Sequence, residues 1–139
     1  MIFIDTWGFI AFVNKKETKH NDVVKLFADI WNNNQPVYTS DYILDETITL
    51  LSRKLDFKKV KDFVLKIDEA ISGGFINILW ILKPDFDTAI KKRLKYKDKL
   101  DISFTDLTTA VLMEKLGINK IITEDSHFNY LNKNFEVLF

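Results

Sequence analysis

Met1-Ile-Phe-Ile-Asp5-Thr6-Trp-Gly-Phe-Ile-Ala-Phe-Val13 opens the chain and reads as a short buried strand running directly into a helix. Ile2 to Ile4 is an unbroken apolar run of strand length, while Thr6 to Val13 sets Phe9, Ile10, Phe12 and Val13 at helical spacing. An acid, Asp5, stands at the junction. The pattern recurs along the chain. Val37-Tyr-Thr39 precedes a helix that Ser40 can cap and that runs to about Leu55, with Ile43, Thr47, Leu50 and Leu51 inward. Ile76 to Ile81 forms a third strand, and Pro84 opens the helix after it. Ser103 to Leu116 is another helix, stopped by Gly117, after which Ile121-Ile122 is a fourth strand and His127 to Leu131 a short helix. Phe135 to Leu138 is a candidate fifth strand. Helices over 21–32 and Phe57 to Ser72, the second ended by Gly73-Gly74, fill the intervals. Strands alternating with helices predict the α/β class, with a mostly parallel sheet of four to five strands covered on both faces.

Parallel strands send their carboxyl ends to one edge of the sheet, so Asp5, Glu46, Asp106 and Asp125 are expected to meet there. Each has an ordinary explanation alone. Asp5 and Asp125 can cap helices, and Asp106, three residues after Ser103, suits the positive end of a helix dipole. Glu46 is different, because it lies well inside its helix on the border of the buried face, where an unpaired carboxylate is costly. Four carboxylates crowded together repel, and their pKa values rise unless a cation neutralises them. Oxygen ligands without Cys or a well-placed His select a hard ion, Mg²⁺ or Mn²⁺, which suits phosphoryl chemistry. Thr6, Thr105, Thr109 and Thr123 stand beside these acids, where hydroxyls can orient ligands or waters. His20 reads as solvated surface and His127 as a packing or capping residue.

At 139 residues, 47% hydrophobic and 14% aromatic, the chain has the material for one well-filled domain over residues 1–139. Zero cysteines exclude disulfides, thiolate zinc sites and Cys nucleophiles. The N-terminus lacks a basic region and meets an acid too early for a signal peptide, and no apolar stretch approaches the length of a membrane span, so a cytoplasmic protein is expected. A formal net charge of zero hides local segregation. Lys91 to Lys99 carries six cations against one acid, whereas Leu100 to Phe139 has six acids and three lysines. Cations beside an acidic pocket suit a metal-dependent phosphodiester enzyme, the first holding phosphates and the second the metal.

The ordered set Ile4-Asp5-Thr6, Thr39-Ser-Asp-Tyr-Ile-Leu-Asp-Glu46-Thr-Ile-Thr-Leu-Leu51, Leu100-Asp-Ile-Ser-Phe-Thr-Asp106 and Ile122-Thr-Glu-Asp125-Ser-His-Phe128 resembles the PIN-domain ribonucleases, most of all the VapC toxins of prokaryotic toxin–antitoxin pairs. The resemblance covers nearly the whole chain. It implies a compact three-layer α/β/α fold, Mg²⁺- or Mn²⁺-dependent endoribonuclease activity leaving 5′-phosphate and 3′-hydroxyl ends, a homodimer, and an antitoxin that inserts a segment near the acids. Mapped residue by residue, it makes Asp5, Glu46, Asp106 and Asp125 the catalytic and metal-binding set, with Thr6 the hydroxyl after the first acid. Asp5 and Asp106 would ligate directly, Asp125 and Glu46 directly or through water, and Glu46 would orient the attacking water. Lys91, Lys92, Arg93, Lys95 and Lys97 are the candidates for holding RNA. Glu124 departs from the pattern, since the family often has an aromatic or amide residue before the last acid. Two other readings are a PIN-like module that binds RNA or a partner without cutting, and an RNA-processing nuclease outside any toxin–antitoxin pair. A phosphoacceptor receiver domain lacks support, because the third strand ends in Leu82-Lys83 with no acceptor acid at its tip.

Overall fold

The computed structural model describes all residues 1–139. Five short strands, β1 (Ile2–Ile4), β2 (Val37–Ser40), β3 (Asn77–Leu79), β4 (Lys120–Ile122) and β5 (Glu136–Val137), form one sheet in the order β3-β2-β1-β4-β5. Every pairing is parallel, with Phe3 opposite both Tyr38 and Ile121. Seven helices connect them: α1 (Thr6–Val13), α2 (His20–Asn32), α3 (Asp41–Lys54), α4 (Phe57–Ser72), α5 (Lys83–Lys95), α6 (Phe104–Leu116) and α7 (His127–Leu131). The expected parallel α/β architecture is therefore present, with five strands and no antiparallel member.

Topology follows from the strand order. The chain moves outward from β1 through β2 to β3, then returns across the sheet to β4 and β5. Right-handed crossovers, the rule for parallel strands, assign α1 to α4 to one face and α5 to α7 to the other. Helix contacts divide the same way: α1 packs on α2 and α3, α3 on α4, α5 on α6, and α6 on α7. The direction of winding reverses between β1 and β4, the place where open parallel sheets leave a crevice at their carboxyl ends.

The central strands are buried on both faces, which is why they read as continuous apolar runs; Phe3, Ile4, Ile121 and Ile122 are all essentially inaccessible. Gly8 determines how closely α1 approaches β4. A Cβ there would meet both the Cγ2 and the carbonyl oxygen of Ile122 at 3.0 Å, so only a residue without one lets the start of α1 sit against the end of β4. Ser40 caps α3 as expected, its Oγ accepting the Ile43 N–H at 3.2 Å. The third strand is shorter than the expected 76–81 because the Ile81 N–H is donated to Asp41 Oδ1 at 3.0 Å and leaves the ladder. At the opposite edge, the fifth strand keeps only Glu136 and Val137.

Candidate active site

Asp5 ends β1 and its own N–H still bonds to the Ile122 carbonyl at 3.3 Å, so it is tied to β4. It occupies the N-cap position of α1, yet its side chain does not cap the helix. Instead the carboxylate turns toward the end of β4, where the Thr123 hydroxyl donates to Asp5 Oδ2 at 2.8 Å. Only 7% of Asp5 is exposed. Burial, with a smaller contribution from the nearby Asp106 and Glu46 carboxylates, pushes its pKa up to about 7 against the pull of the Thr123 hydroxyl and the Thr6 amide.

Glu46 reaches the same place from α3, where the Thr6 hydroxyl donates to its Oε2 at 2.6 Å. That bond couples the first turn of α1 to α3 and orients the one acid that neither a cap nor a dipole explains. Asp106 caps its own helix. Its Oδ2 accepts the Ser103 N–H at 2.8 Å while Ser103 Oγ accepts the Asp106 N–H at 3.1 Å, a reciprocal cap on α6. Its pKa is nevertheless raised, by burial first, against the Ser103 bonds and with help from Asp125 and Glu46. Asp125 follows β4 and donates its own N–H to Thr123 Oγ1 at 3.1 Å. Thr123 thus links two of the four acids.

All four acids line one cavity of about 350 Å³, shared with Thr6, Thr123, Trp7, Glu17, Lys54 and Glu124, among others. Glu124 is exposed on its rim. The donor set is carboxylate and hydroxyl oxygen, chemistry that fits a hard divalent cation. No three of the Asp, Glu and His side chains are gathered at the spacing that holds an ion. Burial first, and the neighbouring carboxylates after it, disfavour the charged forms of Asp5 and Asp106, and a bound cation would offset both.

Other expected residues fall elsewhere. Thr105 does not line the cavity; one residue before Asp106, its side chain is turned about 100° around the helix. Thr109 is buried with an unpartnered hydroxyl, also away from the cavity. Arg93 leaves the RNA-holding set: its guanidinium donates to the carbonyls of Ile102, Tyr96 and Lys99, bracing the α5–α6 connection. Lys92 is committed to Glu114 at 2.9 Å. Lys91, Lys95 and Lys97 are exposed, on a segment that contributes nothing to the cavity. Sequence reasoning passed over Lys54 and Glu17. Lys54 had a signal, lying eight residues after Glu46 on one helix face. His127 is more engaged than expected, with Nε2 at 2.7 Å from Asp101 Oδ2 and Nδ1 at 2.8 Å from Asp125 Oδ1. Burial lowers its pKa, but those two carboxylates outweigh it and the net shift is upward.

Fold and site together define a three-layer parallel α/β protein with a carboxylate-lined cleft where the sheet's winding reverses. Residues 2–134 match the PIN domain, and the chain belongs to that family. Among similar proteins is the 23S rRNA-specific endonuclease VapC20 of Mycobacterium tuberculosis, 27% identical over 135 residues that span 93% of this chain and 92% of that one. A VapC ribonuclease of Archaeoglobus fulgidus is 28% identical over 134 residues, 91% of this chain and 78% of its relative. In three dimensions the chain is similar to the crystal structure of M. tuberculosis VapC20, described as a sarcin–ricin loop cleaving toxin, with TM-score 0.76, 26% identity and 94% of each chain covered. FitAcB from Neisseria gonorrhoeae shares the fold, with TM-score 0.66 at 16% identity over 100% of this chain and 97% of that one. The resemblance to VapC-type PIN proteins holds across the chain.

Proposed function

We propose that this chain is a Mg²⁺- or Mn²⁺-dependent endoribonuclease and the toxin of a toxin–antitoxin pair. One observation carries the reading: Asp5, Glu46, Asp106 and Asp125, from four distant segments, line a single cavity in which Asp5 is pushed up to about 7. The VapC ribonucleases among its relatives support RNA as the substrate. Asp5 and Asp106 would hold the ion, Asp106 through Oδ1, the oxygen its cap leaves without a protein donor. Asp125 would complete the set. When bound, the ion supplies polarisation of a phosphate oxygen and a more acidic water. The chain's own part is positional. Thr123 fixes Asp5, and Thr6 holds Glu46 so that its carboxylate can orient a water and accept its proton as the phosphodiester is attacked.

An antitoxin would fit the apolar cavity of about 870 Å³ between α1–α2 and α3–α4, floored by Phe12, Phe27 and Phe63 and rimmed by Lys15, Lys16 and Lys59. It adjoins the acid cavity through Lys54, so a segment bound there would lie beside the acids. For a second copy, α5 and the residue that precedes it offer Leu82, Phe86, Ile90 and Leu94, four apart and all exposed. No helix of the chain is long and apolar enough to cross a membrane.

The test is incubation of the purified protein with labelled RNA. Cleavage that EDTA abolishes and added Mn²⁺ or Mg²⁺ restores, with 5′-phosphate products, is the expected result. RNA that is bound but left intact with either ion would replace this reading with a binding module.

A further inference from the structure

Lys54 is the single cation among the residues lining the acid cavity, which it shares with Asp5, Glu17, Glu46, Asp106, Glu124 and Asp125. Helix geometry puts it there. Glu46, Leu50 and Lys54 are spaced four apart on α3 and all three line the cavity, so the face that presents the glutamate presents the lysine two turns later. Its Nζ lies 3.8 Å from Glu17 Oε1, a loose contact, and its side chain is 48% exposed. A partly exposed pair at that distance contributes little to folding. The charge is therefore available for another partner. Lys54 also lines the neighbouring cavity with Lys15, Lys16, Lys59 and Lys66, so it stands where the acidic cleft meets a lysine-rimmed surface.

A polyanion approaching six carboxylates meets repulsion that one or two divalent ions only partly cancel. A cation at the mouth would hold the phosphate next to the reacting one and fix the direction in which the strand leaves. We propose that Lys54 is a substrate-binding residue that contacts a backbone phosphate of single-stranded RNA adjoining the scissile bond, with Glu17 holding the ammonium near that position in its absence. This rests on the nuclease reading above.

The proposal makes effects on RNA and on metal diverge. Removing a cation beside carboxylates should leave Mn²⁺ affinity unchanged or increase it, while RNA affinity falls. The experiment compares Lys54→Gln and Lys54→Arg in an Asp106→Asn background, measuring anisotropy of a fluorescein-labelled single-stranded oligoribonucleotide across a salt series with Mg²⁺ present. Mn²⁺ binding is measured by electron paramagnetic resonance on the proteins that retain Asp106. Lys54→Gln should weaken RNA binding about tenfold and reduce the slope of log K against log salt by about 0.7, the value for one phosphate contact on a single strand, with Lys54→Arg restoring most of both. Unchanged RNA affinity and slope in Lys54→Gln, alongside wild-type protein that cleaves RNA, would overturn the Lys54 assignment and leave the nuclease intact. A parallel loss of Mn²⁺ binding would also overturn it, since Lys54 would then be supporting the acids. Wild-type protein that neither binds nor cuts RNA would overturn both.

Discussion

Replacing Asp5 by Asn should stabilise the protein in the absence of divalent ions while destroying its activity. Asp5 ionises at its ordinary 3.8 in the unfolded chain and at about 7 in the folded one, because burial and two neighbouring carboxylates oppose its charge. Between those values the folded state binds the extra proton, so stability falls as pH rises from about 4 to about 7 and is flat above. A shift of about three units at about 1.4 kcal/mol each sets the cost of the ionised form at about 4 kcal/mol, an upper bound once local relaxation is allowed. Asn carries no charge to bury, and its amide oxygen can still accept from Thr123. Urea unfolding in EDTA at pH 8 should therefore find Asp5→Asn more stable than wild type by about 2–4 kcal/mol, with the gap closing toward pH 4. Saturating Mn²⁺ should close it from the other side by stabilising wild type alone. An Asp5→Asn protein no more stable than wild type at pH 8 in EDTA, or a difference that ignores pH, would refute the reasoning.

Three further outcomes follow from the same contacts. Thr6→Val deletes the 2.6 Å bond to Glu46 and should lower kcat by about 10- to 100-fold in single-turnover cleavage assays, with Mn²⁺ affinity nearly unchanged. Arg93→Ala strips three backbone carbonyls of their donor and should cost about 1–3 kcal/mol in urea unfolding, while leaving RNA affinity at the wild-type value. Gly8→Ala forces a methyl against Ile122 and should destabilise by about 1–3 kcal/mol despite alanine's better helix propensity, with a further loss of cleavage as Asp5 is displaced from Thr123.

What could be read in advance was whatever depends on local order along the chain. Apolar runs of two or three residues followed by an acid or a hydroxyl, Ile2 to Ile4 before Asp5, Val37-Tyr38 before Thr39 and Ile121-Ile122 before Thr123, mark β1, β2 and β4, because central parallel strands are covered on both faces. Helices α1, α4 and α7 fall where spacing and breakers place them. The convergence of Asp5, Glu46, Asp106 and Asp125 was legible because it needs only parallel strands. Edge strands were harder, since β3 and β5 end where a partner is lost, as when Asp41 takes the Ile81 N–H. Arg93 looked like part of a free basic run because its three acceptors are backbone carbonyls, which leave no trace in a sequence. Asp101 gave no signal either, being brought to His127 only by the packing of the α5–α6 connection against α7.

The most direct test of the four-carboxylate site is RNA cleavage by single-residue variants in Mn²⁺ at neutral pH, with folding verified by circular dichroism. Asp5→Asn, Glu46→Gln, Asp106→Asn and Asp125→Asn should each remain folded and lose at least about 100-fold in rate, the scale of losing one element of a site that works by charge stabilisation. Wild-type rates in Asp5→Asn and Asp106→Asn would contradict the account.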